Sequence, residues 1–560
     1  MRKILEITIP IVVAIAAIVL IFTRFAFFRV DLTAEKRYTL SDATKEQLKV
    51  MREPLTLKLY LSGDLDANML RLSKTVKETV EEMNVKARFP ISIVEENPNE
   101  EIDDEARYAT YSKLESRGLR GMSVTKRERN GAMTEQVIFP WAELCSSRDT
   151  MAICLMKPST SMKGEEAVNA AVEDLEFQII DAVRVLNRTE IKKIAFLEGH
   201  GELSEYEVYD ACEALSRYFQ IDRGVLGYDA SVLDDYCAIV VAKPLTAFSE
   251  RDKFIIDQYI MRGGRVLWLI DGARMSNDLL SQGGSSPLIK LDVNLNDMLF
   301  RYGVRVTPTI LEDMQCAYIP VNMARSGEEP RFEPIPWFFH PLLQTSPYHP
   351  ITKMINAVRA DFASGLELVG DSSIHKEIIL ATGNASHVHF APSQIDVAAA
   401  VNVEPQEYFN NAYIPVAAAL EGNFTSVFLH RLVPDSINTN RIIEKSARTR
   451  MVVVADGDII RNDIEKYNSE LMLVPLGYDR VTKQTHGNKN FIINALLYLT
   501  DDEGVMNLRN RKVELRLLNR AVVDANRNVI ILFNTVLPLV IVALFATLFF
   551  IIRKRKFSKK

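Results

Sequence analysis

The feature that most constrains this chain is an uncharged run of 24 residues, Val529 to Ile552, reading VIILFNTVLPLVIVALFATLFFII and followed at once by RKRKFSKK. A helix needs roughly 20 apolar residues to cross the hydrocarbon core of a bilayer. The run therefore predicts a transmembrane helix over 529–552 and a basic tail over 553–560. Six of the last eight residues are Lys or Arg. Positive charge of that kind accumulates on the cytoplasmic side, which predicts a cytoplasmic C-terminus.

A second apolar stretch, Ile7 to Thr23, is uncharged over 17 residues and follows Arg2 and Lys3. It predicts a first transmembrane helix over 4–28. A signal peptide is the rival reading, but the sequence that follows, TRFAFFRVDL, lacks a small-residue cleavage site and favours an uncleaved anchor. Two spans place both termini in the cytoplasm and residues 30–526 on the far side of the membrane. The basic stretch NLRNRKVELRLLNR on the far-side flank runs against this orientation. The segment 509–527 that contains most of it predicts a juxtamembrane contact with lipid headgroups or with a partner. Neither run carries an acidic or basic residue, so no ion relay is expected within the membrane.

Between the spans the pattern is that of an α/β protein. Residues 30–160 read as a small α+β domain. Ser41 is placed to cap a helix, LTLKLYLS is a strand, and Leu72, Val76, Val80 and Met83 form one apolar helical stripe. FPISIVEE is another strand, and a hairpin is expected around Arg129-Asn130-Gly131. The alternation suggests a thioredoxin-like layer. Residues 165–188 predict a connecting helix, with Glu165 and Glu166 at its start and Arg184 and Arg188 at its end, the order that suits the helix dipole.

Residues 189–508 predict a doubly wound α/β domain. IKKIAFLEG, YCAIVVAKP, RVLWLID and TRMVVVADGD are strands, the second and fourth being apolar runs of the kind buried on both faces of a parallel sheet. Ser204 and Glu207 form a capping box, Ser249 caps the next helix, and Gly263-Gly264 stops it. NKNFIINALLYL is a helix packed behind the sheet. Residues of about 305–445, with many prolines and shorter strands at EIILATG, SHVHFAP and TSVFLHR, read as a β-rich insertion. The five cysteines at 145, 154, 212, 237 and 316 show no metal-ligand spacing and read as mostly buried thiols, with a single bridge still open.

Chemistry is expected, if anywhere, at the carboxyl ends of the parallel strands. LEGHGE sits there. His200 could act as a base oriented by Glu198 or Glu202, or Gly199 and Gly201 could simply make the tight turn while His200 packs. No nucleophile accompanies it, and no GxSxG elbow occurs. Glu198, His200 and Glu202 are therefore ligand or interface candidates, and no catalytic residue is assigned. Asp456 and Asp458 in VVVADGDII form a second pair, fit either for a hard cation or for capping a turn; no metal is assigned. His387 and His389 share a strand face, but two such ligands do not make a zinc site. Asp271-Gly272 reads as a turn. The net charge of −6 argues against nucleic acid. The chain has no phosphate loop, no HExxH and no GxGxxG fingerprint, so no cofactor is expected and the chain is not expected to be a standard P-loop ATPase itself.

Taken in order, several stretches resemble the GldG family, the auxiliary, "substrate-binding"-like membrane component of the gliding-motility-type ABC transporter of Bacteroidota. They are RVDLTAEKRYTLSDAT, FLEGHGE, AIVVAKP with MRGGRVLWLID, NAYIPVAAALEGNFTSVF, VVVADGDII and GNKNFIINALLYL, closed by a second span containing Leu537-Pro538. The resemblance covers nearly the full length. It implies a non-catalytic subunit anchored in a bacterial inner membrane, with its large domain in the periplasm, paired with an ABC permease and a separate cytoplasmic ATPase, in gliding or type IX secretion-related envelope function. The second domain also resembles the class I glutamine-amidotransferase-like fold, here without that fold's catalytic cysteine. Two other expectations stay open: a membrane-anchored hydrolase or amidase using the His200 region, and a structural protein bridging the envelope.

Overall fold

A computed structural model describes residues 39–510 and 525–557, apart from 102, 128–132, 158–163, 277, 281–283, 325–328, 371, 397–403, 435–436, 438–441 and 468–469. The expected first span at 4–28 and the turn at 129–131 lie outside these residues. The described chain falls into two units, one reaching residue 510 and the other containing the C-terminal apolar helix.

The larger unit opens with helix α1 (Asp42–Lys49), capped as the sequence predicts: the Thr44 amide donates to Ser41 Oγ at 3.0 Å. Strand β1 (Leu55–Leu59), helix α2 (Ala67–Lys86) and strand β2 (Ile91–Glu95) form a βαβ segment, with β1 and β2 parallel. The α2 stripe Leu72, Val76, Val80 and Met83 is fully buried, and each such side chain removed from water contributes about 1.5–3 kcal/mol. Helix α3 (Asp104–Ser116) leads to a hairpin of β3 (Met122–Arg127) and β4 (Met133–Ile138). Then β5 (Trp141–Cys145) adds antiparallel to β1 and β6 (Thr150–Cys154) antiparallel to β5, giving the order β2-β1-β5-β6.

Helix α4 (Glu165–Asn187) follows, burying Val168, Leu175, Ile179 and Val183. It also buries Asp174, which meets Lys157 at 3.2 Å and Arg509 at 3.3 Å. Arg509 was expected to open the basic juxtamembrane segment. Instead it is 2% exposed, donates to the carbonyls of Pro350 and Lys353, and lies 5.2 Å from the Phe177 ring centroid. Burial works against the Asp174 carboxylate, but Lys157 and Arg509 outweigh it and hold its pKa far below the usual range.

The main sheet starts with β7 (Lys193–Glu198), followed by helix α5 (Tyr209–Ser216), β8 (Gln220–Val225), β9 (Ala238–Ala242), helix α6 (Glu250–Met261) and β10 (Val266–Leu269). A long excursion then supplies β11 (Thr309–Asp313), β12 (Cys316–Asn322), β13 (Phe332–Thr345), β14 (His375–Ala381), β15 (Ser386–Phe390) and β16 (Pro415–Gly422) before β17 (Thr449–Val454) and helix α7 (Asn488–Leu499). The order is β12-β13-β14-β16-β17-β10-β9-β7-β8. Strands β8, β7, β9, β10 and β17 are mutually parallel, and β16, β14, β13 and β12 continue the sheet antiparallel.

The excursion is thus no detached insertion: four of its strands extend the parallel sheet. TSVFLHR forms no strand; residues 427–430 turn, and buried Asp257 takes the Val427 amide at 2.9 Å and the Ser426 hydroxyl at 2.6 Å. Side chains alternate between two apolar layers as the strand period requires. Phe196, Val240, Leu267 and Val452 join one layer with α7 residues Phe491 and Leu496, while Leu197, Val241, Trp268 and Val453 join the other with α6 residues Phe254 and Ile260. All five cysteines are free. In the second unit, α8 (Arg527–Phe557) is the one described helix long and apolar enough to cross a membrane.

Arg509→Met leaves Asp174 buried with one cation fewer. The full-length protein is expected to lose about 3 kcal/mol of unfolding free energy in denaturant titration; an unchanged midpoint would refute the buried role of Arg509.

Candidate functional site at the strand ends

Strand β7 pairs with β8 on one side and β9 on the other, so the chain reverses its direction of winding at β7. The crevice expected at that point is closed. Gly199 and Gly201 take left-handed φ of 113° and 75°, which glycine adopts without steric cost. The turn they make folds over the end of β9: the Leu245 and Thr246 amides donate to the His200 carbonyl, and the Leu203 amide donates to that of Ala242.

His200 is buried beneath this turn. Its Nδ1 lies 3.1 Å from Glu202, its Nε2 lies 3.4 Å from Asp252, and its face stacks on Phe248 at 3.6 Å between centroids. Burial favours the neutral ring, but the two carboxylates outweigh it and raise the His200 pKa. Each ring nitrogen faces a carboxylate that can only accept, so while the ring carries both protons no lone pair is left to abstract another. Glu198 is spent on Arg223, at 2.8 Å. Half of the Ser204–Glu207 box forms: Glu207 accepts the Ser204 amide at 2.9 Å, while the Ser204 hydroxyl donates to Glu207 at 2.7 Å instead of accepting an amide. Glu198, His200 and Glu202 therefore lie together as a clamp between β7, β8 and the start of α6.

The second pair lies in a buried charge cluster across the ends of β9, β10 and β17. Lys243 ion-pairs with Asp458 and sits 3.5 Å from Asp271. Arg461 binds Asp458 at 2.6 Å and approaches Asp361 at 3.7 Å; Arg359 reaches Asp361 at 3.3 Å. Asp271 accepts the Gly457 amide. Asp456, wholly buried, accepts the amides of Asp361 at 2.9 Å and Asp458 at 2.7 Å and meets no cation. Burial and the neighbouring carboxylates hold Asp456 well above the usual carboxylate range. Burial likewise pushes Asp458 up to about 6 despite Lys243 and Arg461. Asp361 is driven the other way, its burial outweighed by His340, Arg359 and Arg461. Arg359 also lies 3.5 Å from Asp463, at the more exposed side of the cluster.

Both Asp456 oxygens accept amides and Asp458 Oδ2 meets Lys243, while Asp458 Oδ1 lies against Arg461 without a hydrogen bond; among the described residues no three His, Cys, Asp or Glu side chains are arranged to hold a metal ion. Gly272 lies at a bend where a Cβ would lie 2.0 Å from the Thr307 carbonyl oxygen. His387 and His389 share a face with ring centroids 4.7 Å apart; His387 bonds the Tyr408 carbonyl and His389 lies 3.4 Å from Glu312. Lys243 could have been suspected as the first charge after an apolar strand. Arg359 and Asp361 carry no such signal. A cavity of about 960 Å³ beyond the end of β10, lined by Ile270, Gly272, Leu291, Phe300, Arg301 and Val306, was also not foreseen.

Residues 191–495 match the family described as an ABC-type uncharacterized transport system, an auxiliary component, over more than half of the chain. The chain belongs to this family. Residues 34–144 match a domain of unknown function, DUF7088. No curated protein matches. Among solved structures, the mmIFT52 N-terminal domain is similar at 12% identity and a TM-score of 0.31, over 55% of this chain and 98% of that one; so distant a likeness carries no inference. The family association, with the apolar helix α8, supports a transport-linked role at a membrane.

A raised histidine pKa stabilises the fold fully below the unfolded value of about 6.5 and ceases to do so as pH climbs through the folded value. His340, His349, His387 and His486 are lowered, by burial first, and act in the opposite sense below 6.5. The melting temperature of the full-length protein is therefore expected to fall as pH rises above 6.5. His200→Gln should flatten that slope and cost roughly 1–3 kcal/mol at pH 6.5. A slope left unchanged by the substitution would contradict the clamp, since the raised Asp456 and Asp458 add a fall of the same sign that both proteins share.

Proposed function

We propose that this protein is a non-catalytic auxiliary subunit of an ABC transporter, of the GldG type, working with a permease and a separate cytoplasmic ATPase. The observation that carries the reading is the commitment of both His200 nitrogens to carboxylates within a family of transport components. A site at the sheet's switch point whose base is tied off serves shape, not turnover. The helix α8 anchors the chain beside the permease, both termini lie in the cytoplasm, and the large unit projects into the periplasm. Strand order β2-β1-β5-β6 with α4 behind it supports a thioredoxin-like layer for residues 30–160, and the five parallel strands support an amidotransferase-like core for residues 189–508. Gliding or type IX secretion-related envelope function is the setting the resemblance implies.

Mild detergent extraction of the tagged native protein, with mass spectrometry of what accompanies it, is expected to recover a permease and a P-loop ATPase in fixed proportion. Recovery of this chain alone, under conditions that keep other membrane complexes intact, would sink the proposal.

A further inference from the structure

The two edges of the main sheet are treated differently. At one edge, β12 carries Pro320, which has no amide to donate, and a register shift between Cys316 and Tyr318. Prolines and bulges are the usual devices that stop a sheet edge from recruiting another strand. At the other edge, β8 has neither. Its six residues pair with β7 in unbroken register, from Lys193 opposite Gln220 to Glu198 opposite Val225. The Gln220 amide points to β7, donating to Lys192. By the alternation of a strand, the amides and carbonyls of Ile221, Arg223 and Val225 point outward, where no described strand pairs with them. The edge ends in exposed apolar surface: Val225 is 67% exposed and Tyr228 68%.

We infer that β8 is a docking edge, completed by an extended segment of a partner protein that adds to it as the next strand. Main-chain hydrogen bonds would supply the affinity and side-chain complementarity the selection. The complementarity is legible in the charges. Arg223 is already neutralised by Glu198, whereas Asp222 meets only Gln220 at 3.3 Å and the Tyr236 hydroxyl at 3.1 Å. The segment that fits therefore places a Lys or Arg opposite Asp222 and an apolar side chain beside Val225 and Tyr228. A second copy of this chain fits poorly. Antiparallel pairing must match outward residues with outward residues, so its central registers set Arg223 opposite Arg223 or Asp222 opposite Asp222. Like charges directly opposite weaken a ladder.

The inference rests on the auxiliary-subunit reading for where the partner is sought. Amide hydrogen exchange over residues 220–225 is compared between the isolated full-length chain and the complex extracted with its transporter subunits. In the isolated chain, the Ile221, Arg223 and Val225 amides should exchange fast and those of Gln220, Asp222 and Gly224 slowly; in the complex the outward three should slow by about tenfold or more. Val225→Pro, which removes one outward amide, and Val225→Lys, which keeps it but charges the edge, should both reduce recovered partner at an unchanged melting temperature. Outward amides already slow in the isolated chain would overturn the inference. So would subunits that co-purify with exchange unaltered, and that result would leave the auxiliary role standing. Failure of any subunit to co-purify would overturn both.

Discussion

The fold depends on the pairing of buried charges at the carboxyl ends of β9, β10 and β17. Lys243, Arg359 and Arg461 face Asp271, Asp361 and Asp458 in a region from which water is largely excluded. Taking such groups out of water costs several kcal/mol per ion, and only complete pairing offsets it. That requirement explains why the excursion between β10 and β17 returns to the sheet. Asp361 supplies a carboxylate to the two arginines and an amide to Asp456, Ser364 donates its amide to the Ala455 carbonyl, and the Gly272 amide donates back to Ser364. The same network leaves no carboxylate pair open to a cation.

What the sequence makes legible is local. Apolar runs such as AIVV and VVV announce strands buried on both faces, and Ser41, Ser249 and Gly263-Gly264 mark helix ends because caps and left-handed residues act within a few positions. The Ser249 hydroxyl does accept the Asp252 amide, at 3.2 Å. What fails is long-range. TSVFLHR alternates like a strand, yet its Val427 amide and Ser426 hydroxyl are claimed by Asp257, about 170 residues earlier. Arg509 sits in a basic stretch but is drawn into the core by Asp174. Lys243 and Arg359 become neighbours only through the winding of the sheet. The candidate residues around 200 and 456 were found by position at strand ends, while their use as clamps depends on partners that spacing does not reveal.

These features bear on function together. A switch-point crevice covered by the Gly199–Gly201 turn, a histidine fixed between two carboxylates and a locked charge cluster describe a rigid body in which no described nucleophile stands beside a free base. An auxiliary component of a transporter needs such a body: a membrane tether at one end of the chain, and a surface that other subunits can read. The contrast between the blunted β12 edge and the open β8 edge gives that surface a location.

The strand-end charges act as one structural lock. A double-mutant cycle with Lys243→Met and Asp458→Asn, read by denaturant unfolding of the full-length protein, tests it most directly. The lock predicts a coupling of about 1–3 kcal/mol, the double variant losing less than its two single losses combined. Strict additivity would mean that the two charges stand independently, and would contradict it.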